Sequence, residues 1–242
     1  MLLEAKDVTK MFGSFCAVSG ASMAIEQGQI VGLIGPNGAG KSTFFNCLAG
    51  TTQATSGSVI FDGVDITNAP PEAHARVGIG RTFQVPATFE DMSVLDNVMV
   101  GAFLRHKRRA DAQERAREVI AMTGLSEQIG MRAGSLGTPG RKRLEIARVL
   151  ASEPRLMLLD EALAGLTPTE VQDAIALLRR IHALGITMVI VEHIMEVIVT
   201  LTEHVVVFNQ GHVIATGKPD AVVKDEAVIE AYLGRGRRRV RS

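Results

Sequence analysis

Apolar residues in this chain recur in short continuous runs, each bounded by glycine, proline or charged residues. The clearest runs occupy positions 30–34, 156–159 and 186–191. Their length and lack of alternation are typical of strands buried on both faces of a parallel sheet. Helical periodicity is found at 42–49, 144–151 and 167–184. Strands that alternate with helices predict an α/β fold with a mostly parallel sheet.

The remaining segments predict smaller elements around that sheet. Positions 2–25 are typical of short strands with turns at Gly13-Ser14 and Ser19-Gly20, and Asn209-Gln210-Gly211 indicates a hairpin. A strand is expected within 55–63, a short helix from Pro70, a strand over 79–84 and largely helical structure over 93–124. Thr167-Pro168-Thr169-Glu170 is a capping-box-like helix start.

Composition narrows the class of protein. The chain has 242 residues, enough for one large domain or two small ones, and 46% of them are apolar. Lys+Arg and Asp+Glu both number 26, so no overall charge favours nucleic acid as a partner. The 2 cysteines are too few for a disulfide scaffold, and no signal peptide or spanning segment is predicted. We therefore expect a cytoplasmic protein.

A phosphate-binding loop is predicted directly after the first apolar run. The pattern G-x-x-x-x-G-K-[ST] is filled by Gly35, Pro36, Asn37, Gly38, Ala39, Gly40, Lys41, Ser42 and Thr43. A strand precedes it and a helix follows it, which is the context that the motif requires. Glycines allow backbone N–H groups to surround an anion, and the helix N-terminus adds its dipole. Lys41 is expected to hold the β- and γ-phosphates and Ser42 to ligate Mg²⁺.

Acidic residues end the second run, and a histidine follows the third. Asp160 and Glu161 come directly after 156–159, where ligands bind in open α/β sheets. Asp160 is expected to support Mg²⁺, and Glu161 to take a proton from an attacking water. His193 follows 186–191 through Glu192, a position that favours a functional role over a structural one.

Phe12 has two interpretations that the sequence leaves open. It lies upstream of the phosphate-binding loop, where an aromatic ring could stack on a purine base. It is equally compatible with an ordinary core position.

Together these motifs resemble the ATP-binding subunit of an ABC transporter over essentially the whole chain. The resemblance implies that Gly35 to Thr43 is the Walker A motif and that Phe12 stacks on adenine. It implies that Gln84 in Arg-Thr-Phe-Gln is the Q-loop residue, which ligates Mg²⁺ and senses the membrane subunit. It makes 156–161 the Walker B motif with the catalytic glutamate, 164–168 the D-loop region and His193 the switch histidine that contacts the γ-phosphate.

The same resemblance implies an architecture and a set of partners. The expected fold is that of a P-loop NTPase, RecA-like, with an N-terminal antiparallel β subdomain and a helical subdomain over about 86–152. We expect residues 1–242 to form one ATPase domain with a basic tail at 235–242. The expected assembly has a second ATPase subunit, two transmembrane permeases and a periplasmic binding protein, at the cytoplasmic face of the inner membrane. ATP and Mg²⁺ are its expected ligands, and nucleic acid is not expected.

Finer features look like branched-chain amino-acid uptake systems. These features lie at 75–84, 92–98 and 231–234. Related importers of urea and amides share much of this pattern. Other possible classes are a soluble ABC ATPase, a P-loop kinase or GTPase, and a non-enzymatic binding module. A soluble ABC ATPase is disfavoured because the chain has a single ATPase half. A P-loop kinase or GTPase is disfavoured because no guanine-reading motif is recognisable and because Gln84 and His193 would be unexplained. A non-enzymatic binding module is disfavoured because Glu161 is present.

Two positions depart from the family pattern. The family usually has proline after the catalytic glutamate, whereas this chain has Ala162. The signature motif, usually Leu-Ser-Gly-Gly-Gln, is degenerate: it reads Leu136, Gly137, Thr138, Pro139 and Gly140. A register shifted by two would instead put Gly137 at the second glycine, and both registers stay open. One intact and one impaired site would suit a heterodimer with a paralogous subunit, although a homodimer is also possible.

Overall fold

The computed structural model describes residues 1–233, with only the main chain of Leu233 described. The predicted basic tail at 235–242 lies outside the described residues. The chain divides into two compact units. The first combines Met1–Ala73 with the chain from Thr187 onward, and the second is His74–Ile186.

The regular elements alternate between strands and helices, as the apolar pattern predicts. The strands are β1 (Leu3–Phe12), β2 (Phe15–Ile25), β3 (Ile30–Ile34), β4 (Ser56–Phe61), β5 (Val64–Asp65), β6 (Ile79–Arg81), β7 (Leu156–Asp160), β8 (Thr187–Val191), β9 (His204–Asn209) and β10 (His212–Gly217). The helices are α1 (Lys41–Leu48), α2 (Pro71–Val77), α3 (Val94–Ala102), α4 (Arg109–Met122), α5 (Thr138–Ala151), α6 (Pro168–His182), α7 (Met195–Leu201), α8 (Pro219–Val222) and α9 (Glu226–Leu233).

The first unit contains an antiparallel sheet and a parallel strand group. The antiparallel sheet has the order β2-β1-β4-β5, which confirms the expected N-terminal β subdomain. In the other group β3 pairs in parallel with both β8 and β9, and β9 forms a hairpin with β10. The hairpin turn at Gln210 and Gly211 has φ values of 48° and 83°, as a tight two-residue turn requires.

The turn predicted at Ser19-Gly20 is wrong. Strand β2 runs through both residues, and the pairing of β1 with β2 instead shifts register between Ala5 and Val8 and again before Lys10. Asp7 and Gly20 have φ values of 49° and 60° in this stretch. Glycine within a strand often marks such a bulge, so the turn-like composition corresponds to an irregularity of a continuous strand.

The second unit pairs β6 with β7 in parallel and carries helices α3, α4, α5 and α6. The predicted strand over 79–84 is too long, because β6 ends at Arg81 and Gln84 lies in the loop that follows. The helical segment over 93–124 is two helices separated by 103–108, where the basic cluster interrupts the periodicity. Helix α5 begins six residues before the predicted start at 144, and its apolar face, with Leu144 and Leu150, is buried as expected.

The core of each unit is built from the apolar runs. Every residue of β3, β7 and β8 is buried, as strands covered on both faces require. Burial of each large aliphatic side chain contributes about 1.5–3 kcal/mol.

Cys47 is also buried, and burial raises the pKa of its thiol to about 11, so it is a structural residue. No helix within residues 1–233 combines the length and apolar composition needed to cross a membrane.

Candidate functional site

The loop between β3 and α1 has backbone geometry that only glycine satisfies. Gly35 has a φ of 148°, and a Cβ there would overlap the Phe208 carbonyl oxygen. Gly40 has a φ of 101°, and its Cβ would lie 2.5 Å from the Ala17 carbonyl oxygen. The two fixed glycines of the motif are therefore required by φ and by close packing.

The Lys41 side chain binds the main chain of the loop that precedes it. Its side chain is only 5% exposed, and Nζ donates to the carbonyl oxygens of Gly35 at 2.7 Å and Pro36 at 3.0 Å. The N-cap of α1, Gly40, provides no side-chain hydrogen bond to the first turn, where Ser42 and Thr43 follow. An N-terminus without a side-chain cap, next to a buried ammonium, fits the negative charge of a phosphate group.

Tyr232 of α9 reaches the same loop, which sequence reasoning missed. Burial raises the pKa of its phenol, and a backbone hydrogen bond with Gly35 partly offsets that rise. Tyr232 also lines an apolar cavity of about 280 Å³ with Ile34, Met195, Val223, Val228 and Ile229. The C-terminal helix therefore packs against the end of β3 that leads into the loop.

The first unit also holds Phe12 and His193. Phe12 ends β1 and is 52% exposed, so its interpretation as a core residue is wrong. Lys10 Nζ lies 5.0 Å from the centre of the Phe12 ring. His193 is exposed two residues after β8, and the intervening Glu192 is only 2% exposed.

In the second unit, Asp160 is the last residue of β7. It contacts Arg81, the last residue of β6, and Thr82, which follows Arg81. Its backbone N–H donates to the Thr82 hydroxyl at 3.1 Å. Its carboxylate lies 3.6 Å from the Arg81 guanidinium. Burial lowers the pKa of Arg81, and the charges of Asp160 and Glu145 partly restore it. Asp160 itself is 8% exposed, so this carboxylate is a buried negative charge with a cation beside it.

Glu161 adjoins Asp160 and is held in a rare backbone conformation. Its φ of 46° lies in the left-handed region, which costs an ordinary residue about 1–2 kcal/mol. Gln84 Nε2 donates to its carboxylate at 2.9 Å, and Lys142 Nζ donates to its carbonyl oxygen at 2.9 Å. The structure thus brings together Gln84 and Glu161, two residues that the sequence singles out 77 positions apart.

Helix α5 positions the loop that carries Gln84. The buried carboxylate of Glu145 accepts backbone N–H groups of Phe83 at 3.1 Å and Ala87 at 3.3 Å through the same oxygen. Arg148 donates to the Ala87 carbonyl oxygen at 2.6 Å. Neither charged residue is marked by any motif, although both interrupt an otherwise apolar stretch of α5.

Protonation of Glu145 should make stability depend on pH. Burial raises the pKa of this carboxyl above its ordinary value of 4.5, although the two N–H groups, Arg148 and Lys142 act against the rise. The folded chain therefore keeps this proton to a higher pH than the unfolded chain. The resulting stabilisation is complete below pH 4.5 and is lost as the pH rises through the folded-state value.

We expect this dependence in the difference between the wild type and Glu145→Gln, which keeps the accepting oxygen but does not titrate. The free energy of unfolding of the wild type, relative to the variant, should fall as the pH rises from about 4 to about 7. Urea unfolding across this range measures it, and Glu127→Gln, an exposed carboxylate of the same unit, is the control. A relative stability that is constant or rises with pH would contradict the assignment.

The predicted signature segment, 136–140, runs into the first turn of α5. Gly137 is the N-cap, with no side-chain cap, and Pro139 lies in the first turn. Proline has no backbone N–H, so this helix start has one donor fewer than an ordinary one. Arg141 is turned back onto the preceding loop, donating to the carbonyl oxygens of Leu136 at 3.0 Å and Gly134 at 2.7 Å.

The predicted Mg²⁺ ligands belong to both units: Ser42 to the first, and Gln84 and Asp160 to the second. Mg²⁺ usually binds one or two carboxylates together with waters and substrate phosphates. A hydroxyl and a carboxylate are each donor types that Mg²⁺ accepts. Within residues 1–233 no three His, Cys, Asp or Glu side chains cluster into a self-sufficient metal site.

The model of the ABC transporter family matches residues 18–164. The chain belongs to this family. A second model, described as a branched-chain amino acid ATP-binding cassette transporter, matches residues 212–237. The high-affinity branched-chain amino acid transport ATP-binding protein BraF of Pseudomonas aeruginosa is 37% identical over 96% of this chain and 98% of its own length.

Solved structures of ABC cassettes share the fold of this ABC transporter subunit. A nucleotide-free ATP-binding cassette superposes with a TM-score of 0.88 at 31% identity, over 96% of this chain and 99% of that one. A dimeric cassette in a post-hydrolysis state, bound to ADP and Pi, gives 0.81 at 25% identity over 90% and 99%. The ABC subunit described here therefore has the expected P-loop NTPase fold, and it is an ATPase that binds adenine nucleotide.

Proposed function

We propose that this chain is the ATP-hydrolysing subunit of an importer for branched-chain amino acids. The choice of branched-chain amino acids as the solute rests on the 37% identity to BraF across nearly the whole of both chains. The match of residues 212–237 to the branched-chain cassette model supports it independently. Import of urea or amides is the second candidate, because the features at 75–84, 92–98 and 231–234 also resemble those systems.

The residues of the P-loop are proposed to hold the triphosphate. Lys41 exchanges its two carbonyl partners for β- and γ-phosphate oxygens, and the N–H groups of the loop and of the α1 start donate to the same oxygens. Phe12, exposed at the end of β1, provides an aromatic face for adenine. Ser42, Gln84 and Asp160 are the proposed protein ligands of Mg²⁺, which would neutralise charge on the β- and γ-phosphates.

Glu161 is the proposed general base. It takes a proton from the water whose oxygen forms a bond to the γ-phosphorus, while the bond from phosphorus to the ADP oxygen breaks. Its carboxylate is ordered by Gln84 and its main chain by Lys142, so it is preorganised for that transfer. His193 is proposed to contact the γ-phosphate from the end of β8, where its exposed ring is accessible to a ligand.

A dimer is the proposed working unit. ATP at about 1,000 times its Kd stabilises the bound form by about 4 kcal/mol per site. A nearly complete switch between two states needs about 5.5 kcal/mol, so two sites suffice and one does not. The α5 start lacks a serine at Gly137 and an N–H at Pro139, which weakens it as a phosphate site and favours a paralogous partner subunit.

Permease subunits are proposed to bind at an apolar surface around the Gln84 loop. The loop exposes the apolar side chains of Phe83, Val85 and Phe89, and the end of α3 with the residues after it exposes those of Val100, Phe103 and Leu104. The loop and α3 are joined by paired hydrogen bonds between Asn97 and the Phe89 main chain. Exposed apolar clusters of this kind mark interaction sites. We accordingly place the subunit at the cytoplasmic face of the inner membrane, working with a periplasmic binding protein.

The test is uptake by the purified transporter in sealed vesicles with ATP on the cytoplasmic side. Leucine, isoleucine or valine with their binding protein should accelerate both uptake and ATP hydrolysis, whereas urea and short amides should not. Native mass spectrometry of the same sample should find one copy each of two different ATPase subunits. Stimulation by urea alone would overturn the solute, and two copies of this chain would overturn the heterodimer.

A further inference from the structure

The side chain and the main chain of Glu161 each accept a hydrogen bond from a different part of the second unit. Gln84 holds its carboxylate, and Lys142 holds its carbonyl oxygen, each at 2.9 Å. The residue has a φ of 46°, a conformation that persists where surrounding contacts determine it. The Lys142 contact acts on the main chain and therefore on the direction in which the carboxylate leaves it.

Lys142 is a buried lysine whose ammonium binds the main chain of another segment. It is only 7% exposed, although lysine is rarely buried because its ammonium loses hydration. It lies one turn into α5, and Glu145, whose pKa its charge lowers, is one turn further along the same helix. A cation that is buried near a carboxylate and bonded to a peptide carbonyl is held in a single geometry.

We propose that Lys142 is a positioning residue for ATP hydrolysis that sets the orientation of Glu161. This rests on the proposed function, in which Glu161 is the general base. Without the ammonium, the left-handed conformation loses its main-chain support, and rotation about that main chain displaces the carboxylate. A displacement of about 1 Å at a reacting group can cost about 100-fold in rate.

The same helix also sets the position of the Gln84 loop. Glu145 accepts the N–H groups of Phe83 and Ala87, and Lys142 and Glu145 are three residues apart, so they lie on one side of α5. A movement of α5 would therefore shift Gln84 and Glu161 together. Lys142 links the α5 start, which carries the signature segment, to the residue that performs the chemistry.

The experiment compares substitutions of Lys142 in the full-length chain. Lys142→Met keeps the length and removes the donor, so kcat should fall by roughly 10- to 100-fold while KM for ATP changes by less than about 2-fold. Lys142→Arg retains a donor and should recover kcat to within about 3-fold of the wild type. Lys107→Met, an exposed lysine of the same unit, is the matched control and should leave both parameters unchanged.

A double-mutant cycle with Glu161→Gln separates the two hypotheses. With the base already removed, Lys142→Met should lower kcat further by less than about 2-fold. If Glu161→Gln alone leaves kcat intact, the proposed role of Glu161 fails. If it abolishes turnover but Lys142→Met gives the same fold-loss in both backgrounds, Lys142 acts independently of Glu161 and the present inference is overturned.

Thermal melting accompanies each variant, since removal of a buried ammonium can impair folding. If Lys142→Met does not fold, the comparison of Lys142→Arg with the shorter, uncharged Lys142→Gln decides. The arginine variant should then hydrolyse ATP at least about 5-fold faster than the glutamine variant at equal KM. Equal kcat values for these two variants would overturn the inference.

Discussion

Replacing Glu161 with glutamine is expected to lower kcat for ATP hydrolysis by about 10²- to 10⁴-fold. An amide cannot accept the proton of the attacking water, so the base is lost. The side chain keeps its size, and its carbonyl oxygen can still accept from Gln84 Nε2, which donates to Glu161 at 2.9 Å. The fold, the Gln84 loop and nucleotide affinity should therefore be nearly unchanged.

Two measurements define the outcome for Glu161→Gln. Steady-state phosphate release gives kcat, and size-exclusion chromatography with ATP should reveal an ATP-trapped dimer that the wild type does not accumulate. Glu118→Gln makes the same chemical change at an exposed carboxylate of α4, which pairs with Arg115, and should leave kcat unchanged. Unimpaired turnover of Glu161→Gln would refute the general-base role.

Replacing Lys41 with methionine is expected to weaken ATP binding by about 10- to 100-fold. A hydrogen bond to a charged group contributes about 1.5–3 kcal/mol, and every 1.4 kcal/mol is about tenfold in affinity. Lys41 is 5% exposed, and its ammonium already lies against the loop, within 3.0 Å of the Gly35 and Pro36 carbonyl oxygens. It needs little movement to reach a phosphate, so its loss should appear directly in the binding constant.

Ligand-induced stabilisation measures this effect. ATP at 100 times the wild-type Kd should stabilise the wild type by about 2.7 kcal/mol and Lys41→Met by about 0.4–1.4 kcal/mol. Lys6→Met removes a lysine of the same unit whose side chain is 54% exposed, and should respond to ATP like the wild type. An undiminished response of Lys41→Met would show that the phosphates bind elsewhere.

The motifs predicted the local backbone around the candidate site, because each motif is a local arrangement. Gly35 and Gly40 are required by φ and by close packing of the chain against Phe208 and Ala17, and such requirements leave a glycine at a fixed spacing. The end of β7 at Asp160 follows from the apolar run before it, and α1, which begins at Lys41, follows from the helical periodicity after the glycine loop. The Thr167–Glu170 capping box is present as predicted.

Irregular and long-range features were predicted less well. The sequence predicts a turn where the β1–β2 pairing has a bulge, since glycine favours both and only the partner strand distinguishes them. The sequence predicts that α5 begins at 144, because Gly137, Pro139 and Gly140 have low helix propensity. Proline is nevertheless compatible with the start of a helix. The β6 strand was extended to Gln84 because apolar and β-branched residues continue past Arg81.

The sequence by itself determined the α/β fold, the glycine loop between β3 and α1, the strand-end acids and the family. These follow from periodicity and spacing within short segments, where each residue's neighbours are known. Only the tertiary structure decided that Lys142 and Glu145, two charged residues without a motif, hold Glu161 and the Gln84 loop. Contacts between residues 19 and 62 positions apart depend on how α5 packs, and no local pattern encodes that packing.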